Sequence, residues 1–351
     1  MNQKISKALS AKITHLSALM TLFVVYIHYS AMSGDIYSGD QSAVWLALVD
    51  YFGQGITRNA VPLFFIISGI LAFWNAEEEN GHRVLIQGAK KRIRTLGIPY
   101  VLWNFIAMVF FLTLEFYNTK VLPSLSFAHV FGSLFNHQHN GPLWYVQELL
   151  IYSWFAPLLY SVIKKRTGFC IAVAVFTLQY LFTHNIIRGS VFYILGAGMA
   201  LHARKSINHP QKNTIAVCAL FVFVITQVWR LAAFDASVPI DVARGTVEYR
   251  MIEYLGPISL WFAADMLPYE KMPVLRVERE TFAVYVTHIM TLSLATSTVM
   301  NRIVKLPTTS FLYAVFMFFL TPLFIYLATV LLAGMVKKIV PKVYRIAMGG
   351  R

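Results

Sequence analysis

Long apolar runs, each close to twenty residues and separated by short clusters of Lys and Arg, recur from one end of this 351-residue sequence to the other. A hydrocarbon core of about 30 Å takes ~20 apolar residues of helix to cross, and only structures that satisfy their own backbone polar groups can cross it. Hydrophobic residues make up 57% of the chain and charged residues 13%, about half the charged share (~25%) of a soluble domain. Too few polar side chains are present to clothe a surface of this size in water. The sequence predicts an all-α, polytopic membrane helix bundle of about ten transmembrane helices with both termini cytoplasmic.

The expected spans lie near 13–32, 59–75, 97–116, 142–163, 169–183, 190–202, 214–234, 251–267, 281–300 and 311–336. Residues 41–52 are apolar but carry Asp50, which places them outside the core as an interfacial segment. Alternating the loops between two sides tests this count. The side of the N-terminus collects 22 of the 30 basic residues, among them Lys90, Lys91, Arg92, Arg94, Lys164, Lys165, Arg204 and Lys205. The opposite side has seven (Arg58, Lys120, Arg188, Arg244, Arg250, Arg302 and Lys305), and Arg230 lies within a span. Such a bias follows the positive-inside rule and makes the N-terminal side cytoplasmic.

The formal charge of +14 could suggest nucleic acid, but the cations sit at the ends of apolar runs rather than along a nucleic-acid-binding face. Cys170 and Cys218 lie inside apolar runs and are expected to be reduced, buried helix residues; no metal-ligand spacing accompanies them. Met1 to Lys12 is polar and basic and lacks a small-residue cleavage site, which reads as an uncleaved first span. There is no internal repeat, low-complexity tract or extended soluble stretch, so residues 1–351 are expected to form a single transmembrane domain.

Ionisable groups inside spans are costly, by ~2.5 kcal/mol or more at the centre, and each needs a reason. His28 lies about four residues from the outer end of the first span, ~6 Å deep at 1.5 Å per residue. It is either an interfacial histidine bonded to a neighbour or a general base, since neutral imidazole can deprotonate a hydroxyl near neutral pH. Glu148 lies ~9 Å below the same surface; it could orient His28 or pair with Arg58 or Arg188. His288, near mid-membrane, could line the bundle or be a satisfied core residue. The cluster Lys90, Lys91, Arg92 and Arg94 precedes a span. It could anchor to anionic lipid, or combine with a helix N-terminus to hold a phosphorylated ligand such as coenzyme A. His137 and His139 have no companion at ligand spacing, so a polar outer loop is expected there and no metal.

Taken in order, these segments resemble the membrane acyltransferase-3 family. An apolar first span (Leu16–His28) ends in His. Arg58-Asn-Ala-Val-Pro62-Leu-Phe-Phe-Ile-Ile-Ser68-Gly69 is similar to the family's R-x-x-x-P-x-F-F-x-x-S-G. Lys91-Arg92-Ile93-Arg94 leading to Pro99-Tyr100 is similar to its R-x-R before Pro and an aromatic. Pro142-Leu-Trp144-Tyr145 is similar to its L-W-F/Y, and Tyr285-Val-Thr-His288 to its late Y-x-x-H. The five come in the family's order over nearly the whole chain, in the manner of surface-polysaccharide O-acetyltransferases such as the enterobacterial common antigen type. One position departs: the family places Arg eleven residues before the span-one His, and here that residue is Ser17, with Lys12 and His15 nearby.

The resemblance implies a multi-pass protein of the bacterial inner membrane that O-acylates an extracytoplasmic or lipid-linked glycan. Its donor would be a cytoplasmic acyl-CoA, acetyl-CoA first, with no resident cofactor and with membrane lipid as its surroundings. His28 would be the base and Glu148 its orienter. Arg58, Arg92, Arg94, Trp144, Tyr145 and His288 would bind substrate, with donor phosphates near Arg92 and Arg94. Two other classes fit a polytopic basic chain. A secondary transporter would show repeated halves, which are absent from the sequence, whereas a non-catalytic polysaccharide export protein would tolerate the loss of His28.

Overall fold

The computed structural model describes residues 4–32, 43–122, 125–183, 187–210, 212–235, 237–238, 240–296 and 310–350. Helix is the only regular structure among them. In chain order these are α1 (Lys7–Met32), α2 (Ala43–Asp50), α3 (Ala60–Phe73), α4 (Gly81–Arg92), α5 (Ile98–Thr119), α6 (Phe127–Phe135), α7 (Trp144–Ile163) and α8 (Arg166–Phe182). There follow α9 (Ser190–His202), α10 (Arg204–Asn208), α11 (Thr214–Ala232), α12 (Ile240–Gly245), α13 (Val247–Ala263), α14 (Thr281–Leu294), α15 (Phe311–Ile339) and α16 (Pro341–Ala347). The chain is an all-α polytopic membrane protein.

Each expected span overlaps a helix within its described residues, and residues 297–300 of the span 281–300 lie outside them. Among the described residues, six helical stretches are long and apolar enough to cross a membrane: Lys7–Ala31, Val44–Phe73, Gly81–Thr119, Gly141–Ile163, Thr214–Ala232 and Phe311–Ile339. Arg166–Phe182, Ser190–His202 and Thr281–Leu294 are shorter apolar helices. Helix starts carry their own chemistry. Asn213 and Thr246 cap α11 and α13 by accepting from Ala216 N (2.9 Å) and Tyr249 N (3.2 Å), which satisfies donors that a helix start leaves open.

Two expectations are corrected. Of residues 41–52, the described ones, 43–52, are not set apart from the second span. α2 runs through a π-helical turn (Tyr51–Gly55) and a 3₁₀ turn (Ile56–Asn59) into α3, forming one 30-residue stretch. Asp50 does not end it, because its Oδ2 accepts from Arg230 Nη2 at 2.5 Å; a paired carboxylate can lie where a lone one could not. Cys170 and Cys218 are reduced but exposed rather than buried. An apolar neighbourhood in a membrane sequence does not distinguish the lipid face from the core.

Contacts divide the chain into two compact units. The first comprises Met1–Ala31, Asp40–Gly88 and Tyr152–Arg279. Its tightest contact is α3 against α9. A Cβ on Gly69 would lie 2.2 Å from Tyr193 O, and one on Gly196 would lie 2.0 Å from Ile66 O. Only hydrogen fits at either point, as at membrane helix crossings built on small residues. Lys12, 1% exposed, is bonded to Asp265 and lies 3.9 Å from the Trp261 ring centroid. His15 Nδ1 meets Glu278 Oε1 at 2.5 Å. Arg250 Nη1 donates to Leu181 O (2.9 Å) and Thr183 O (3.2 Å), capping the C-terminal end of α8.

The second unit comprises Met32–Gly39, Ala89–Ile151 and Glu280–Arg351. Here α14 packs on α15, and α16 folds back on α5, with Trp103 Nε1 donating to Ala347 O at 2.9 Å. Glu280 ties both ends of this arrangement, accepting from Lys337 Nζ at 3.0 Å and from the Tyr344 hydroxyl. Burial, and then that carboxylate, hold the Tyr344 hydroxyl above the usual phenol range.

Candidate active site

The expected site residues are shared between the units. His28 and Arg58 belong to the first; Glu148, Arg92, Arg94, Trp144, Tyr145 and His288 belong to the second. The pairing of His28 with Glu148 is therefore not contained in either unit.

In the first unit, His28 is half-buried on α1, one turn before its end. Arg58 sits on the 3₁₀ turn that follows the π turn, and its Nε donates to Gln54 Oε1 at 2.9 Å, with Nη2 donating to the same oxygen. The two irregular turns place Gln54 and Arg58 one above the other at the point where a regular helix would have continued. π turns inside helices are frequent at functional sites. Tyr249 anchors this segment from α13, its hydroxyl donating to Gln54 O at 2.8 Å.

Beside Arg58 lies a group that sequence reasoning passed over. Arg230, from α11, pairs with Asp50, stacks 4.9 Å from the Tyr249 ring centroid and is only 5% exposed. Its Nε has no hydrogen-bond partner among the described residues. Arg58, Gln54, Arg230 and Tyr249 border one small hollow, and Arg230 and Tyr249 continue into a cavity of about 210 Å³ that reaches Phe234, Asp235 and Glu248. The cavity thus joins Arg230 to carboxylates and aromatic rings, with Arg58 in the adjoining hollow. Asp235, at its edge, is held below the usual carboxylate range by the Ser237 hydroxyl and backbone N–H. The signal was available in the sequence: Asp50 and Arg230 are both ionisable residues inside apolar runs, and such residues demand partners.

In the second unit, three of the five motifs converge. Tyr285 donates its hydroxyl to Pro142 O, and Asn140 Nδ2 donates to Val286 O at 3.1 Å. The Tyr145 and Tyr285 rings meet edge to face at 5.9 Å. The late Y-x-x-H segment thus grips the Pro142–Tyr145 turn by its backbone. Tyr100, from the Pro99–Tyr100 segment, donates its hydroxyl to Phe135 O at 2.8 Å, and Gln147 Nε2 donates to the same carbonyl at 3.1 Å. His288 is fully buried, with Nδ1 2.6 Å from Tyr285 O. Trp144, Tyr145 and Glu148 lie half-buried on the first turns of α7.

Arg92 ends α4 and is half-buried, whereas Arg94 is exposed on a second π turn, Ile93–Gly97, directly before α5. Both basic motifs thus adjoin π turns: Arg58 follows one, Arg92 precedes the other and Arg94 lies in it. Outside the long helices, His129 Nε2 and His139 Nε2 lie 3.2 Å apart, and Phe111 stacks on His139. Burial, with the neighbouring His129, holds the His139 imidazole below its ordinary range.

Residues 11–331 match the family model of acyltransferase-3, described as an acyltransferase domain. No curated protein and no solved structure matches the chain. The matched residues run through both units and take in all five motifs, from the first-span His to Tyr285–His288. A match over this much of the chain carries the assignment: the protein belongs to the acyltransferase-3 family of membrane acyltransferases.

Proposed function

We propose that this protein is a single-domain membrane O-acyltransferase of the bacterial inner membrane. It would move an acyl group, acetyl first, from cytoplasmic acyl-CoA to a hydroxyl of an extracytoplasmic or lipid-linked glycan. The family match carries this reading, and the crevice around Arg58 and Arg230 supports it with a polar hollow beside an otherwise apolar helix set.

The chemistry assigns the roles. His28, as neutral imidazole, takes the proton of the acceptor hydroxyl as that oxygen attacks the thioester carbonyl. The tetrahedral oxyanion collapses with loss of the coenzyme thiolate, which receives the proton. General-base help of this kind is worth typically 10²–10⁴-fold. The family resemblance gives Glu148 the role of orienting a catalytic imidazole. Arg58, already aligned by Gln54, stabilises the oxyanion or a sugar phosphate. Arg92 and Arg94 take the donor's phosphates by charge-assisted bonds. Trp144 and Tyr145 line the acceptor, and His288, enclosed behind Tyr285, sets the position of that pair. Lys12 is already matched by Asp265, so it leaves the Ser17 departure uncompensated, and the donor is held from the second unit's arginines instead.

The test is transfer of labelled acetyl from acetyl-CoA to a lipid-linked saccharide by the purified protein in nanodiscs. Surface glycan from cells with and without the gene is compared in parallel by mass spectrometry. Acetylated glycan only where the gene is present is the expected result. Identical glycans together with no transfer in vitro would remove the reading.

A further inference from the structure

On the basic-loop side of the first unit, an open cleft of about 630 Å³ is lined by the ends of three helices and includes neither Arg92 nor Arg94. Lys164 and Lys165 border it where α7 gives way to α8, Arg204 and Lys205 where α9 gives way to α10, and Glu77 and Glu78 just beyond α3. A volume of this size is in the range of ligand sites, roughly 300–1,000 Å³.

Four cations and two carboxylates leave the lining positive, and the pairing inside it sharpens that excess. Arg204 is fixed in the wall: its Nε donates to Ala200 O (3.1 Å), its Nη2 to Ala76 O (3.0 Å), and its Nη1 lies 3.7 Å from Glu77 Oε1. Glu77 is thereby matched. Lys164, Lys165 and Lys205 have no acidic partner within salt-bridge distance among the described residues, and all three are exposed. Lys165 also opens α8, a 17-residue helix whose first N–H groups receive no side-chain cap. A concave wall of one sign focuses its field, and an uncapped helix start adds to the same preference.

We infer that this cleft is a second anion site, which takes a phosphate-bearing ligand independently of acyl transfer. A phosphate group on a soluble nucleotide and one on an anionic phospholipid headgroup share the required chemistry. Both would sit between Lys164–Lys165 on one wall and Arg204–Lys205 on the other.

The test uses the full-length protein in nanodiscs of phosphatidylcholine and reads binding alone. ADP titrated calorimetrically is the soluble probe. Phosphatidylglycerol retained in native mass spectra, from discs doped with it, is the lipid probe. With either probe, Lys164→Gln/Lys165→Gln/Lys205→Gln should weaken binding at least tenfold, and raising ionic strength should weaken the wild type in the same direction. If only ADP responds, the ligand is a soluble phosphate; if only phosphatidylglycerol responds, it is a headgroup. Should the triple variant fold poorly, Glu78→Gln serves instead: removing a lining carboxylate should tighten binding about threefold. Binding that is absent with both probes, or equal in wild type and variants, overturns the site. Because no turnover is read, that outcome leaves the acyltransferase test untouched.

Discussion

His28 and the pair Asp50–Arg230 are polar groups in predominantly apolar helices, and each must be there to pack or to act. For His28 the two roles separate cleanly. His28→Gln keeps the volume and a hydrogen-bonding amide but cannot serve as a base near neutral pH. If His28 is the base, this variant should reach wild-type membrane levels and lose at least a hundredfold in acylation per molecule; a packing role would show normal acylation per molecule and less protein. Asp50–Arg230 is the opposite case. The pair is 15% and 7% exposed, and removing one member leaves the other uncompensated, at a cost of about 3–5 kcal/mol. Asp50→Leu should therefore lower the unfolding temperature sharply, and Asp50→Leu/Arg230→Leu should recover most of the loss. A double variant no better than the single would mean that Arg230 is held by its Tyr249 contact rather than by charge.

At the scale of elements, the R-x-x-x-P-x-F-F-x-x-S-G segment divides its labour between chemistry and packing. Arg58 faces a polar hollow, while Gly69 at the other end is where α3 touches α9 backbone to backbone. Gly69→Ala would drive a methyl group into the Tyr193 carbonyl, and overpacking of this kind costs ~1–3 kcal/mol or more when backbone must move. The expected result is a lower yield of folded protein with unchanged acylation in the molecules that fold, whereas loss of activity at full yield would give Gly69 a part in the site. Helix positions were legible because hydropathy counts residues against bilayer thickness, and α1, α3, α5 and α15 follow it closely. The extension of the second span through Asp50 was not legible, since it depends on Arg230, 180 residues away. The hold of Tyr285 on Pro142 was hidden for the same reason: each motif is visible alone, but their contact is made by a backbone carbonyl that carries no residue-specific signal. π turns at Tyr51–Gly55 and Ile93–Gly97 have no sequence signature that distinguishes them from ordinary helix, apart from the glycines that end both.

For the whole molecule, orientation is decided by which cations remain available to the membrane surface, and the ion pairs refine that count. Lys12, Arg204 and Lys337 are matched by Asp265, Glu77 and Glu280 and pull less on an anionic leaflet. Lys90, Lys91, Lys164, Lys165, Lys205 and Lys338 remain exposed, all on the side of the N-terminus in the alternating scheme. At ~1 kcal/mol for each basic residue near an anionic surface, the 22 basic residues of that side less the three matched ones still outnumber the seven opposite, so the asymmetry survives the pairing. The expectation that follows is a cytoplasmic N-terminus and Lys90 segment, with the segment around Gln138 facing outward. Single cysteines at these two exposed positions test this, in a background where the exposed Cys170 and Cys218 are replaced by Ala. In intact cells an impermeant maleimide should label Gln138→Cys and not Lys90→Cys, and permeabilising the inner membrane should make Lys90→Cys reactive. The reverse pattern would invert the protein in the membrane, turning the Lys164–Lys205 cleft outward and the Arg58–Arg230 crevice toward the cytoplasm, and the donor and acceptor sides proposed above would have to be exchanged.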